Sequence, residues 1–513
     1  MSASTRSPLA SLLAGHFDAP AIGAPGRAPS SYGALHAQLD QVAEDLARAG
    51  IGAEDRVAIV LPNGPAMASC FVAVAAATTA APLNPAYREA EFEFYLDDLA
   101  PKAIVLSAGD SSPARAVASR VGIPIIELTE DSAAPAGTFQ LTATPHSASK
   151  PHRRTSADDI ALVLHTSGTT SRPKIVPLSQ ANLMASARHI PRTLALTPAD
   201  HCLNIMPLFH IHGLIAAVLS SLASGGQVTC TAGFSATAFF GWLAAAHPSW
   251  YTAVPTMHQV ILDRAERNRD IIARTPLRFI RSSSSSLPPA VMAHLEEVFA
   301  CPVLESYGMT EAAHQMTSNP LPPAPRKPGA VGLPAGPEVR TLNSAGQFCA
   351  AAVEGEIVIR GPNVTRGYAN NPDANATAFA LDPDGGPPWF RTGDLGVIDG
   401  DGYLAISGRI KEIINRGGEK IAPREVDDVL TAHPQVKQAV AFAITHAKLG
   451  EDVAAAVVLH EGASVTERGL RDFAATQLVS FKVPARILFV DEIPKGNTGK
   501  LTRIGLAKLL GLE

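Results

Sequence analysis

At 513 residues the chain exceeds the roughly 100–200 residues of one domain, so more than one compact unit with a large core is expected and a small stapled scaffold is excluded. Apolar residues make up 46% and charged residues 17%, with 18 Phe, 7 Tyr and 3 Trp, a balance that suits a globular protein rather than a disordered one. The 42 Lys and Arg against 47 Asp and Glu leave a net charge of −5, so there is no overall positive field for nucleic acid or an acidic bilayer. The cysteines, Cys70, Cys202, Cys230, Cys301 and Cys349, are odd in number and form no CxxC pair. They fit neither a disulfide framework nor a zinc cage, and a reducing cytoplasm is the expected location. The opening MSASTRSPLASLLAG is weak as a secretory leader and the closing GLE is not an SKL-type address.

In chain order, residues 32–49 pattern as an amphipathic helix and 57–61 as a core strand. Residues 66–81 are a 16-residue run of mostly Ala, Thr and Val fenced by Pro65 and Pro82; this falls short of the ~20 residues that span a bilayer and is expected to form a buried helix. Residues 161–165 and 228–231 are further core strands running into polar or glycine-rich loops, and 290–299 is a helix. Strands alternating with helices imply parallel sheets covered by helices. The pattern changes at residues 355–360 (EIVIR), and 403–406 add a short strand, giving a β-rich subregion. From Gly408 a smaller unit is expected: Pro423 opens a helix through EVDDVL, then AVAFAI, a helix from Thr466 and the strand ILFV follow. The joint GRIKEIINRGGEK suits a hinge. The expectation is an α/β protein with a large domain of helix-covered sheets over 1–408 and a small, mobile α+β lid over 409–513, hinged near Lys411.

The densest local signal is the loop Thr166, Ser167, Gly168, Thr169, Thr170, Ser171, Arg172, Pro173 and Lys174 after a core strand. Hydroxyls, backbone amides and two cations can surround phosphate oxygens. It is not a Walker loop, since Pro173 stands where glycine is required and Ile175 follows the lysine. Alone, it is also compatible with an ordinary polar connection. It is followed by SYGMTE at 306–311, RTGD at 391–394, GRIKE at 408–412 and PKGNTGK at 494–500. From about Tyr32 to the end, this order and spacing resemble the adenylate-forming superfamily of acyl-CoA synthetases, peptide-synthetase adenylation domains and luciferases.

The resemblance implies that a carboxylate attacks the α-phosphorus of ATP, pyrophosphate leaves, and the thiol of coenzyme A then attacks the acyl-adenylate. ATP, Mg²⁺ and coenzyme A are the implied cofactors. It further implies that Thr166, Ser167, Gly168, Thr169, Thr170 and Lys174 hold the departing phosphates, Thr310 touches the α-phosphate, and Glu311 binds Mg²⁺. Tyr307 would stack on adenine, Asp394 would accept the ribose hydroxyls and Arg409 would add a ribose or phosphate contact. Lys500 would reach the reacting carboxylate and α-phosphate, Lys411 would be the pivot, and Gly417 and Gly418 would flank the pantetheine, with a tight turn as their competing reading.

For the acid, the superfamily's GGAPL-like stretch is replaced by Ser283, Ser284, Ser285, Ser286 and Leu287, preceded by Arg281. His210 and His212 in PLFHIHG, and His314, add imidazoles. A long aliphatic tail gains nothing from unpaired hydroxyls and imidazoles, whereas a second carboxylate satisfies them. FHIHG, WYTAVPTMHQ, FIRSSSSSL and YGMTEAAHQM are similar to plant and fungal oxalyl-CoA synthetases. That likeness implies that Ser285 or a neighbouring serine, His314, and His210 or His212 hold a free carboxylate. His210 as a gate common to the superfamily and His314 as a helix cap are the competing readings. A 4-coumarate-like or medium-chain fatty acid ligase, a silent nucleotide sensor, a carrier-protein adenylation domain and a luciferase-like oxygenase are the alternatives; Lys500, Glu311 and Lys174 together speak against the sensor. The expected partners are a small acid and coenzyme A, with no nucleic acid and no integral membrane segment, as monomer or homodimer.

Overall fold

The computed structural model describes residues 7–143, 154–166, 173–494 and 503–512. They fall into two compact units: one holds the chain to Thr166 with Lys174–Val339 and Arg360–Thr377, the other Arg340–Ile359 and the chain from Ala378. The β-rich stretch counts with the second unit.

The first unit holds two large sheets. In the nine-stranded sheet, Pro20–Ala24, Gln227–Cys230, His201–Asn204, Trp250–Ala253, Phe279–Ser282 and Val303–Met309 lie side by side and parallel. The strand His314–Ser318 then folds back antiparallel on Val303–Met309. In the seven-stranded sheet Ile125–Glu130, Ala103–Ser107, Arg56–Val60, Thr79–Pro82 and Ile160–His165 are parallel neighbours, and Ile175–Ser179 returns antiparallel at the edge. The helix Tyr32–Arg48 starts where the Ser31 hydroxyl accepts from the amide of Ala34 and buries Leu35, Leu39, Val42 and Leu46 along one stripe.

The alanine-rich run forms the helix Pro65–Ala77, buried from Ala66 onward. It packs on strands of both sheets, which is why its sequence is apolar all round. It ends four residues earlier than the pattern predicts. Thr78 is extended and gives its hydroxyl to the Gly52 carbonyl, and the β-branched pair Thr78 and Thr79 leads into the strand Thr79–Pro82.

In the second unit Trp389–Ile398 pairs antiparallel with Gly355–Arg360, Phe379–Ala380 and Leu404–Arg409. A further sheet joins Glu419–Ile421, Ile414–Arg416, Gly450–Leu459 and Val436–His446, with Arg486–Phe489 parallel to Gly450–Leu459. Pro423 opens the helix Pro423–Thr431 as expected, and Thr466 caps Glu467–Ala475 by accepting from the Gly469 amide. Among the described residues no helix is long and apolar enough to cross a membrane.

Candidate active site

The carboxyl ends of the parallel strands are where an open α/β sheet receives ligands, and there the first unit concentrates buried polar side chains. Strand register sets Thr252 beside Arg281, so both side chains leave the same face of the sheet. His212 is the first residue of the π-helix His212–Leu219, a conformation that is rare outside functional sites. A side chain at Gly213 would lie 2.4 Å from the Pro207 carbonyl oxygen, so the tight entry to that helix requires glycine. His212 Nε2 lies 2.6 Å from the Thr252 hydroxyl and Nδ1 lies 3.0 Å from that of Ser284. Ser284 has a φ of 76°, a left-handed conformation uncommon for serine and a mark of an over-determined site.

Arg281 is fully buried. Its guanidinium reaches the Thr252 hydroxyl at 3.5 Å, His314 Nδ1 at 3.5 Å and the Gln315 side-chain oxygen at 3.3 Å, all neutral partners at long range. Its Nε has no partner, and among the described residues no carboxylate lies within ion-pair distance. Burial pulls its pKa down to about 9. Gln315 is held with its oxygen toward Arg281, because its amide nitrogen donates to the Thr193 hydroxyl and the Ala335 carbonyl.

YGMTEAAH is a hairpin: Val303–Met309, a 3-10 turn Thr310–Ala312, then His314–Ser318. A Cβ at Gly308 would come within 1.9 Å of the His314 carbonyl oxygen; only glycine lets the two strands approach this closely. His314 opens a strand and caps no helix, at a φ of 95°. Its ring centroid is 5.0 Å from that of His212.

At the hairpin tip Thr310 is half-buried and Glu311 is 7% exposed. The Tyr368 hydroxyl donates to Glu311 Oε1 at 2.9 Å, and the Lys174 ammonium sits 4.2 Å from the centre of the Tyr368 ring. Thr166 and Lys174 tie the neck of the phosphate-type loop, the Thr166 amide donating to the Lys174 carbonyl and the Lys174 amide to the Thr166 hydroxyl. Tyr307 is buried in its strand.

Ser283, Ser285 and His210 are placed differently. The Ser283 hydroxyl donates to the Ser306 carbonyl at 2.9 Å and stitches neighbouring strand ends together, whereas Ser285 is exposed. His210, half-buried, packs its ring on Phe209, and its carbonyl accepts from the Leu214 amide at the start of the π-helix. Ser167, Gly168, Thr169, Thr170 and Lys500 lie outside the described residues.

In the second unit, register places Asp394 opposite Arg409, and Arg409 Nε donates to Asp394 Oδ1 at 2.7 Å. Asp394 is buried, its amide bound by the Thr392 hydroxyl. Lys411 is exposed in the 3-10 turn Ile410–Glu412. Gly417 and Gly418, at φ 61° and 100°, turn the hairpin between Ile414–Arg416 and Glu419–Ile421. Two successive positive φ values make this a primed hairpin turn, so the turn itself demands both glycines. Arg503 binds Glu412 at 3.1 Å, Asp427 at 2.5 Å and the Ala441 carbonyl at 2.9 Å.

A profile of the AMP-binding enzyme family matches residues 12–369, and one of the AMP-binding enzyme C-terminal domain matches 425–500. The chain belongs to the AMP-binding enzyme family. This AMP-binding enzyme is 46% identical to the oxalate–CoA ligase of Arabidopsis thaliana, over 95% of this chain and 94% of that one. It is 42% identical to the oxalate–CoA ligase of Saccharomyces cerevisiae, over 89% and 87%. ATP-bound MatB from Rhodopseudomonas palustris is similar in structure, at a TM-score of 0.86 and 30% identity over 98% of both chains. Sequence reasoning missed three side chains of the candidate site in this AMP-binding enzyme: Thr252, Gln315 and Tyr368. Thr252 reads as an ordinary strand residue and Tyr368 as part of a loop, and only tertiary packing brings them to His212, Arg281 and Glu311.

Proposed function

We propose that this AMP-binding enzyme is an ATP-dependent acid–CoA ligase that adenylates oxalate, releases pyrophosphate, and passes the oxalyl group to coenzyme A. The observation that carries the choice of acid is the pair of imidazoles, His212 and His314, set 5.0 Å apart beside Ser284 and buried Thr252. A wall of this kind costs free energy unless the ligand's far end is polar, and it rejects an apolar analogue because its own groups are then left unpaired. The two similar proteins named oxalate–CoA ligase support the same choice.

In this reading the free carboxylate of oxalate lies against His314 and the Ser284–His212 pair, and the other carboxylate attacks the α-phosphorus. Lys174 and the loop from Thr166, including Ser167, Gly168, Thr169 and Thr170, hold the departing phosphates, Thr310 the α-phosphate, and Tyr307 the adenine. Asp394 and Arg409 take the ribose. Glu311 is a buried carboxylate that accepts from the Tyr368 hydroxyl, a hard oxygen ligand of the type that joins phosphate oxygens around Mg²⁺; the ion would supply charge neutralisation there. Residues 409–513 act as a lid turning near Lys411, with Lys500 placing its charge where negative charge accumulates. Gly417 and Gly418 flank the pantetheine on the thiol-delivery face. The enzyme works in the cytoplasm.

Pyrophosphate release measured over oxalate, malonate, octanoate and 4-coumarate tests this. Oxalate should exceed the others by ~100-fold or more in kcat/KM; equal turnover of octanoate overturns the choice of acid. Lys500→Ala should abolish adenylation yet still convert preformed acyl-adenylate to thioester, and equal loss of both half-reactions would contradict the two lid orientations.

A further inference from the structure

We propose that Arg281 is a positioning residue that fixes the proton on each of the two histidines and so turns the acid-binding wall into an array of donors. The inference rests on the reading that this wall holds the far end of the acid. A guanidinium has five N–H donors and no acceptor. Facing Arg281, His314 Nδ1 can therefore only accept, which places the ring proton on Nε2. The Thr252 hydroxyl likewise accepts from Arg281, so its own hydrogen goes to His212 Nε2, 2.6 Å away. His212 is then protonated on Nδ1 and donates to the Ser284 oxygen at 3.0 Å, which leaves the Ser284 hydrogen directed away from His212. Two relays start at one buried cation, and each ends in a donor.

The surroundings hold this direction. Gln315 cannot turn its amide to offer Arg281 a donor, because its nitrogen is bound to Thr193 and Ala335. The contacts to Arg281 are long, its Nε is unpartnered and no carboxylate among the described residues neutralises it. A charge buried on these terms is held at a cost, and an anion beyond the histidines recovers part of that cost. The ligand class that follows is an acid whose far end accepts at both oxygens, a second carboxylate. An amide of the same shape presents a donor to a donor and is refused.

Oxalate and oxamate, its monoamide, separate these cases. ATP–pyrophosphate exchange with the intact enzyme should favour oxalate over oxamate by ~1000-fold in kcat/KM. Arg281→Met should lower kcat/KM for oxalate at least 100-fold, chiefly through KM, and shrink the preference over oxamate below ~10-fold, with Arg281→Lys restoring part of it. An undiminished preference in Arg281→Met overturns the proposal. Should Arg281→Met fail to fold, Thr252→Val cuts only one relay and should reduce the preference ~10-fold or more; an unchanged ratio overturns that relay. Nitrogen-15 spectra of the histidine-labelled wild type should show His314 protonated on Nε2 and His212 on Nδ1, and the reverse tautomers overturn the proposal directly. A wild type that turns over octanoate as fast as oxalate contradicts the choice of acid instead, and the tautomers still report on Arg281.

Discussion

Replacing Tyr368 by phenylalanine removes one oxygen atom and separates two roles of this side chain. The hydroxyl donates to the 7% exposed carboxylate of Glu311 at 2.9 Å, and the ring lies under the Lys174 ammonium at 4.2 Å. A hydrogen bond to a charged, buried acceptor contributes about 1.5–3 kcal/mol. Glu311 is the proposed Mg²⁺ ligand, so its aim matters most while charge develops on the phosphates. At 1.36 kcal/mol per factor of ten, losing that donor should slow adenylation by about 10–150-fold and raise the Mg²⁺ concentration for half-maximal rate. The ring is retained, so the dissociation constant of ATP should change less than about threefold, since its contact with Lys174 is worth ~0.5–2 kcal/mol. Tyr368→Leu loses both roles and should weaken ATP by a further ~2–30-fold. Single-turnover pyrophosphate release at varied Mg²⁺, with calorimetric ATP binding, reads the two effects apart. A folded Tyr368→Phe enzyme whose rate and Mg²⁺ dependence stay within twofold of wild type would refute the assignment of Glu311.

Two other perturbations follow from burial. Gly308→Ala puts a methyl 1.9 Å from a backbone oxygen, so strand must move from strand; unfolding in urea should show a loss of at least ~2 kcal/mol, together with reduced oxalate turnover. Wild-type stability would contradict the close approach. His258 is fully buried, which pushes its pKa down to about 3 from 6.5. The unfolded chain then binds the proton more readily than the native one, and the contribution of His258 is complete above pH 6.5 and declines as pH falls toward 3. At pH 5 this site alone should cost about 2 kcal/mol relative to neutral pH, and His201, held down at about 4 by burial, adds a similar share at that pH. His258→Gln should shrink the difference in stability between pH 5 and pH 7.5 by about that amount; an unaltered difference would show that His258 does not titrate as described.

Much of the fold was legible because its signals are local. Apolar runs of strand length, Pro423 at a helix start and a helix beginning about Thr466 needed no tertiary knowledge. The helix after Pro65 was overextended because an all-apolar run does not show where it changes from helix to strand; the extended Thr78 decides that. The nucleotide motifs were legible as continuous strings. The acid wall was only half legible. His212, His314 and the serines stood out as polar residues in apolar surroundings, but Ser283 and Ser285 could not be told from Ser284 until the backbone assigned one to a carbonyl, one to solvent and one to an imidazole. Thr252, Gln315 and Tyr368 come from separate strands and a distant loop, and no spacing rule joins them to their partners.

If His314 holds the acid as proposed, the hairpin that carries it also limits how the acid preference can be retuned. Its two strands touch where Gly308 lacks a side chain, so the scaffold cannot slide to accommodate a bulkier substrate. Position 314 itself has a backbone that asparagine, aspartate, glycine and histidine tolerate and that β-branched residues do not. A protein engineer, or natural drift, therefore has a short alphabet at 314, and broader changes of substrate must come through the positions that surround it.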